Sequence, residues 1–149
     1  MNKKEIFSLI SSIKGYEKSL NHDSFEKTKN TKDKPFQKYE FLGDRVLGLI
    51  ISEYLITKFS KNKLDEISRR FIHLVNTNTL SRIFKKYELF DIFNHQLDPK
   101  SNKNSIYADA LESLIGFIYL SKGLEFTRDI VLNIWQDELD TLPQKDPKT

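Results

Sequence analysis

The sequence predicts an all-α domain, and two observations carry that expectation. Apolar residues return with a period near 3.6 over long stretches, and helix breakers are sparse, with five glycines and four prolines in 149 residues. A chain of this length suits one compact domain. With 38% hydrophobic and 30% charged residues it reads as a soluble globular protein rather than a disordered one. No apolar stretch reaches the roughly 18 to 20 residues of a membrane span. The opening "MNKKEIFSLISSIKGYE" is interrupted by Glu5 and Lys14 at amphipathic spacing and is followed by no small-residue cleavage site, which argues against a signal peptide. The lack of cysteine excludes disulfides and thiolate metal sites and fits a cytoplasmic protein. A net charge of +3, from 24 basic and 21 acidic residues, tolerates a polyanionic partner without demanding one.

The elements follow in order. Ile6, Leu9, Ile10 and Ile13 mark one face of a first helix. The polar stretch "NHDSFEKTKNTKDKPFQ" reads as a long loop ending near Pro35. From about Lys38 to Phe59 the pattern is helical again. Val46, Leu47, Ile50, Ile51, Tyr54 and Leu55 make this the central helix of a bundle. "LDEISRRFIHLVNTNTLSRIFKKYEL" gives one or two helices, with Asn76 or Thr77 as the cap where the pattern restarts. "FNHQLDPKSNKN" is a loop. "SIYADALESLIGFIYLSKG" is a second largely buried helix, with Ser105 as a candidate N-cap and Gly123 as a candidate C-cap. A last amphipathic helix runs from about Leu124 to Leu139, and the polar "TLPQKDPKT" resembles a linker.

Two pairs of carboxylates interrupt the apolar helices. Glu40 and Asp44, four apart, lie roughly 40° apart around one helix; Asp109 and Glu112, three apart, lie roughly 60° apart around the other. Both pairs sit among apolar neighbours, such as Phe41, Leu42 and Val46 or Leu111, Leu114 and Ile115. Burying carboxylates together is strongly unfavourable unless a cation relieves the repulsion. Four hard oxygen donors without nearby His or Cys suit Mg²⁺ or Mn²⁺ and argue against zinc. Gly48 and Gly116 each cost about 1 kcal/mol relative to Ala in a helix, which close approach of the two helices would explain. The competing reading is an ordinary solvated acidic face. Spacing alone suggests a hard-metal site and names no substrate.

At these residues the sequence resembles the ribonuclease III family. "YEFLGDRVLGLIISEYL" is similar to the signature LEFLGDSVLGL, and "SIYADALESLIGFIYLSKG" to the block SILADALEALIGAIYLDKG. Weaker likenesses fall in the right order, "LNHDSF" to LTHRSY and "ISRRFIHLVN" to LSKLRASLVN, so the resemblance spans nearly the whole chain. It implies a ribonuclease III endonuclease-domain helical bundle that is homodimeric. It also implies a metal-dependent phosphodiester hydrolase that cuts double-stranded RNA to 5′-phosphate and 3′-hydroxyl products with short 3′ overhangs. The implied role is processing of ribosomal and messenger RNA precursors. Carried over by position, Asp44 and Glu112 are catalytic, and Glu40, Asp109 and Glu112 ligate Mg²⁺, for which Mn²⁺ can substitute. No organic cofactor and no membrane partner are implied. The alternative within the family is an inactive RNA-binding or assembly module.

Some positions depart from the family pattern. Gln37 and Leu64 stand where acids are common, which bears on substrate selection more than on reaction class. Arg45 replaces a small residue; it either reaches a backbone phosphate or bridges to a neighbouring acid, the second being the default. Phe41 falls in the family's dimer-contact region, where it either fills a socket in the partner or packs in the core. His22, His73 and His95 have no metal-like spacing. Lys61, Lys63, Arg69, Arg70, Lys85, Lys86, Lys100 and Lys103 are candidates for phosphate contacts along an A-form duplex. "QKDPKT" resembles the opening of a double-stranded-RNA-binding domain. The expected division is therefore a catalytic domain over 1–141 and a linker over 142–149 leading to a domain that is missing here.

Overall fold

Two helices carry the architecture, and the rest of the chain packs around their crossing. The computed structural model describes residues 1–16, 35–93 and 104–141. The helices are α1 (Lys3–Ser11), α2 (Pro35–Lys58), α3 (Leu64–Val75), α4 (Thr77–Lys86), α5 (Asn104–Ile134) and α6 (Gln136–Leu139), with a 3-10 segment over Leu89–Phe93. No strand occurs among the described residues, so the all-α expectation holds. Among the same residues no helix is long and apolar enough to cross a membrane.

The apolar period of α2 places Leu47, Ile50, Ile51 and Leu55 in the core. There they meet Ala108, Leu111, Leu114, Ile115 and Ile118 of α5, all fully buried. Each of the leucines and isoleucines contributes about 1.5–3 kcal/mol through removal from water. One end of the core is closed by an aromatic group. Phe84 stacks on Tyr107 with ring centroids 5.3 Å apart, and Phe90 of the 3-10 segment meets both rings edge-on. At the other end Trp135 is fully buried, and its indole N–H donates to the Leu74 carbonyl at 2.9 Å, satisfying the one polar atom the ring brings inside.

Local chemistry fixes the breaks between elements. Asn76 caps α4, its side-chain oxygen accepting the Thr79 N–H at 2.9 Å, so the longer helical stretch is two helices and Asn76 rather than Thr77 is the cap. Asn2 caps α1 in the same way. Gly123 has φ 84° and ψ 178°, a backbone conformation that interrupts α5 and that a side chain would strain. The glycine stop expected there is thus present, and the second half of α5 together with α6 forms the last amphipathic stretch. Ser105 is not a cap, because α5 already begins at Asn104. Asn104 ties that start to α4 by accepting from Ser81 Oγ at 2.9 Å and Lys85 Nζ at 3.1 Å.

Candidate active site

The crossing of α2 and α5 is made by glycine. A Cβ at Gly43 would lie 1.7 Å from the Glu112 carbonyl oxygen and 2.9 Å from the Gly116 N; one at Gly116 would lie 2.0 Å from the Tyr39 carbonyl oxygen. Backbone therefore touches backbone. The expectation of close approach holds for Gly116 but not for Gly48, whose nearest neighbour would be the tip of the Phe71 ring at 3.7 Å, an ordinary contact. Gly43 is the residue that spacing alone missed. Gly43 and Gly48 lie five apart, about 140° around the helix, and nothing local says which of them faces α5.

Glu40 and Asp44 sit on either side of Gly43, and Glu112 and Asp109 one and two turns before Gly116, so the glycine contact draws the two acidic pairs to one place. Glu112 registers the result. Its carboxyl is pushed up to about 8, first by burial, then by donating a hydrogen bond to Asp44, then by the negative charges of Asp44, Glu40 and Asp109. Glu40, Asp44 and Glu112 line an open cleft of about 390 Å³ together with Gln37, Phe41 and Arg45. Asp109 is half-buried and does not line the cleft. Among the described residues no three His, Cys, Asp or Glu side chains are already gathered as a metal ion would hold them. Drawing the carboxylates tighter costs repulsion unless a cation is present. The donor set still fits a hard divalent cation: the groups that raise Glu112, after its burial, are the carboxyls of Asp44, Glu40 and Asp109.

The other sequence candidates fall as follows. Phe41 is 61% exposed, which rules out ordinary core packing. The Arg45 guanidinium lies over the Phe41 ring, 3.5 Å from its centroid, donates to the Phe41 carbonyl oxygen at 3.0 Å and stands 3.6 Å from an Asp44 carboxylate oxygen. Gln37 is exposed at the cleft, and Leu64, at the start of α3, is 77% exposed. His73 lies on α3; its Nε2 is buried and unpartnered, and the ring does not join the acidic group. Arg70 covers the Phe59 ring, Lys85 bonds Asn104, and Lys86 pairs with Asp137, whereas Lys61, Lys63 and Arg69 are exposed or nearly so. His22, His95, Lys100, Lys103, the "LNHDSF" block and 142–149 lie outside the described residues.

Similarity to known proteins converges on the same reading. The Ribonuclease-III-like family model matches residues 14–138. Ribonuclease 3 of Pelagibacter ubique is 42% identical over 138 residues, covering 89% of this chain and 60% of that protein. Ribonuclease 3 of Campylobacter jejuni is 37% identical over 134 residues, covering 87% and 56%. Two solved structures of the ribonuclease III nuclease domain from Campylobacter jejuni superpose with TM-scores of 0.70 and 0.67 at 29% and 30% identity. They cover 92% and 98% of this chain and 98% and 100% of theirs. The first of them concerns flexibility in a region involved in dimer formation of that domain. The chain belongs to the ribonuclease III family and has the fold of its nuclease domain. It spans somewhat over half the length of the curated relatives it matches.

Proposed function

We propose that this chain is the catalytic domain of a Mg²⁺-dependent endoribonuclease that cuts double-stranded RNA, with Mn²⁺ able to substitute. The observation that carries the reading is the displaced Glu112 carboxyl at the glycine crossing, raised to about 8 among three other acids. Burial and repulsion of this kind perturb groups at functional sites because they leave charge waiting for a ligand. Glu40, Asp109 and Glu112 would hold the ion, and Asp44 and Glu112 are the catalytic pair. When bound, the ion supplies Lewis acidity toward a phosphodiester and favours attack by water. Glu112 must give up its proton to serve as a ligand, and Asp44, as its hydrogen-bond partner, fixes where that carboxyl points. The expected products carry a 5′ phosphate and a 3′ hydroxyl with short 3′ overhangs. The expected setting is processing of ribosomal and messenger RNA precursors in the cytoplasm.

Two copies are needed to cut both strands, and the exposed Phe41 supports a homodimer in which that ring meets the partner. Residues 1–141 are read as the catalytic domain and 142–149 as the lead into a double-stranded-RNA-binding domain, in keeping with the greater length of the relatives. Incubation with a long RNA duplex and Mg²⁺ should give short duplex products. Chelation should stop the reaction, and Glu112→Gln should slow it by about 10²–10³-fold or more. Binding of duplex without cleavage under every metal condition would favour an assembly module instead.

A further inference from the structure

Among the described residues that line the acidic cleft, one side chain has the opposite charge, and its placement is specific. Arg45 lines the same cavity as Glu40, Asp44 and Glu112. A guanidinium serving only to neutralise the cluster would fork onto a carboxylate at 2.7–2.9 Å. Arg45 does not. Its Nη1 is spent on the Phe41 carbonyl oxygen, its plane rests on the Phe41 ring, and its approach to Asp44 stops at 3.6 Å, beyond hydrogen-bond length. Among the described residues, Nε and Nη2 make no hydrogen bond, and the side chain is 58% exposed. The stack and the main-chain bond fix a long side chain in advance, which lowers the entropy lost on binding.

We infer that Arg45 is a phosphate-binding residue of this cleft, offering its unused N–H donors to a backbone phosphate of the RNA strand held beside the four acids. The inference rests on the nuclease reading. The arrangement solves a problem the cleft creates, since the acids at its wall, Glu40 and Asp44 among them, repel a polyanion. A cation fixed at the rim, off the carboxylates, attracts the strand without competing for the acids that a divalent ion needs. Arginine matches phosphate oxygens bidentately, which lysine cannot do.

The test compares the unaltered 149-residue chain with Arg45→Ala and Arg45→Lys on a fluorescently labelled RNA duplex. Affinity is read by anisotropy with Ca²⁺ in place of Mg²⁺, and cleavage by initial rates with Mg²⁺. For Arg45→Ala, Kd and KM should rise roughly tenfold, kcat should fall far less, and the slope of log K against log salt should shrink by about one phosphate contact. Arg45→Lys should restore the salt slope but only part of the affinity. An unchanged Kd, KM and salt slope in Arg45→Ala would overturn the inference. So would a loss of affinity traceable to a changed sedimentation coefficient, which would place Arg45 in contacts between copies instead. Failure of the unaltered chain to bind or cut the duplex would sink the nuclease reading itself, a result distinct from either of these.

Discussion

The molecule gathers acidic side chains in two places and treats them in opposite ways. Around α6, Glu138 accepts a forked pair of hydrogen bonds from Arg82 at 2.7 and 3.0 Å, Asp137 pairs with Lys86, and Asp140 accepts from Lys58 and from the Tyr54 hydroxyl, each at 3.0 Å. Arg82 holds the Glu138 carboxyl below its ordinary value, and Lys58 does the same for Asp140. At the α2–α5 crossing, burial first, and then the facing Asp44, Glu40 and Asp109, push Glu112 up to about 8. Acids that meet cations fasten helices to one another, here α6 to α4 and α2. Acids that meet acids stabilise nothing by themselves and persist where a ligand will complete them. The contrast separates scaffold from site without reference to any known protein.

The largest effect should come from the contact that creates the second arrangement. Gly43→Ala places a methyl group into the Glu112 carbonyl, and α2 and α5 must part. Loss on the order of 4 kcal/mol or more is expected, enough to leave little folded protein in a thermal melt. Gly48→Ala is the matched control. Its methyl meets only ordinary contact, so helix propensity should stabilise the protein by about 0.5–1 kcal/mol.

Next comes pH, where the two acidic regions should respond with opposite signs. Because the folded state raises Glu112 from 4.5 to about 8, its contribution to stability is present below pH 4.5 and is lost as pH rises toward 8. Glu112→Gln should therefore raise the stability of the metal-free protein near pH 8 by roughly 1–3 kcal/mol, the full shift being discounted for partial exposure. Glu138 is lowered in the folded state, so its contribution is present above 4.5 and is lost as pH falls through the folded value. Glu138→Gln should cost about 1–2 kcal/mol at pH 7 and progressively less in acid. Melting curves of the two variants from pH 4 to 8 should diverge from the unaltered chain in opposite directions. Smallest of all is Asp140→Asn at the exposed Lys58 pair, which should leave the melting temperature within experimental error in moderate salt.

Much of this was legible in the sequence, for identifiable reasons. Period and capping are local, so the apolar face of α2, the Asn76 cap and the stop at Gly123 can be read from neighbours in the chain. The acidic pairs are legible for the same reason: spacings of four and three put each pair on one helix face whatever the rest does. The partners across the fold are not local. Arg82 and Glu138 lie 56 residues apart and Tyr54 and Asp140 lie 86 apart, and no periodicity announces such pairs. The choice between Gly43 and Gly48 depends on which face of α2 meets α5, and the exposure of Phe41 depends on what fails to cover it. The 3-10 segment over Leu89–Phe93 escaped because its order comes from Phe90 seated against Phe84 and Tyr107.

Titration calorimetry of the metal-free chain with Mn²⁺ tests the central claim most directly, because it asks whether acids set against acids await a cation. Saturable binding is expected for the unaltered chain, weakened at least tenfold in both Glu112→Gln and Asp109→Asn and unchanged in Asp140→Asn. Identical isotherms for all four proteins, or no binding by the unaltered one, would contradict it.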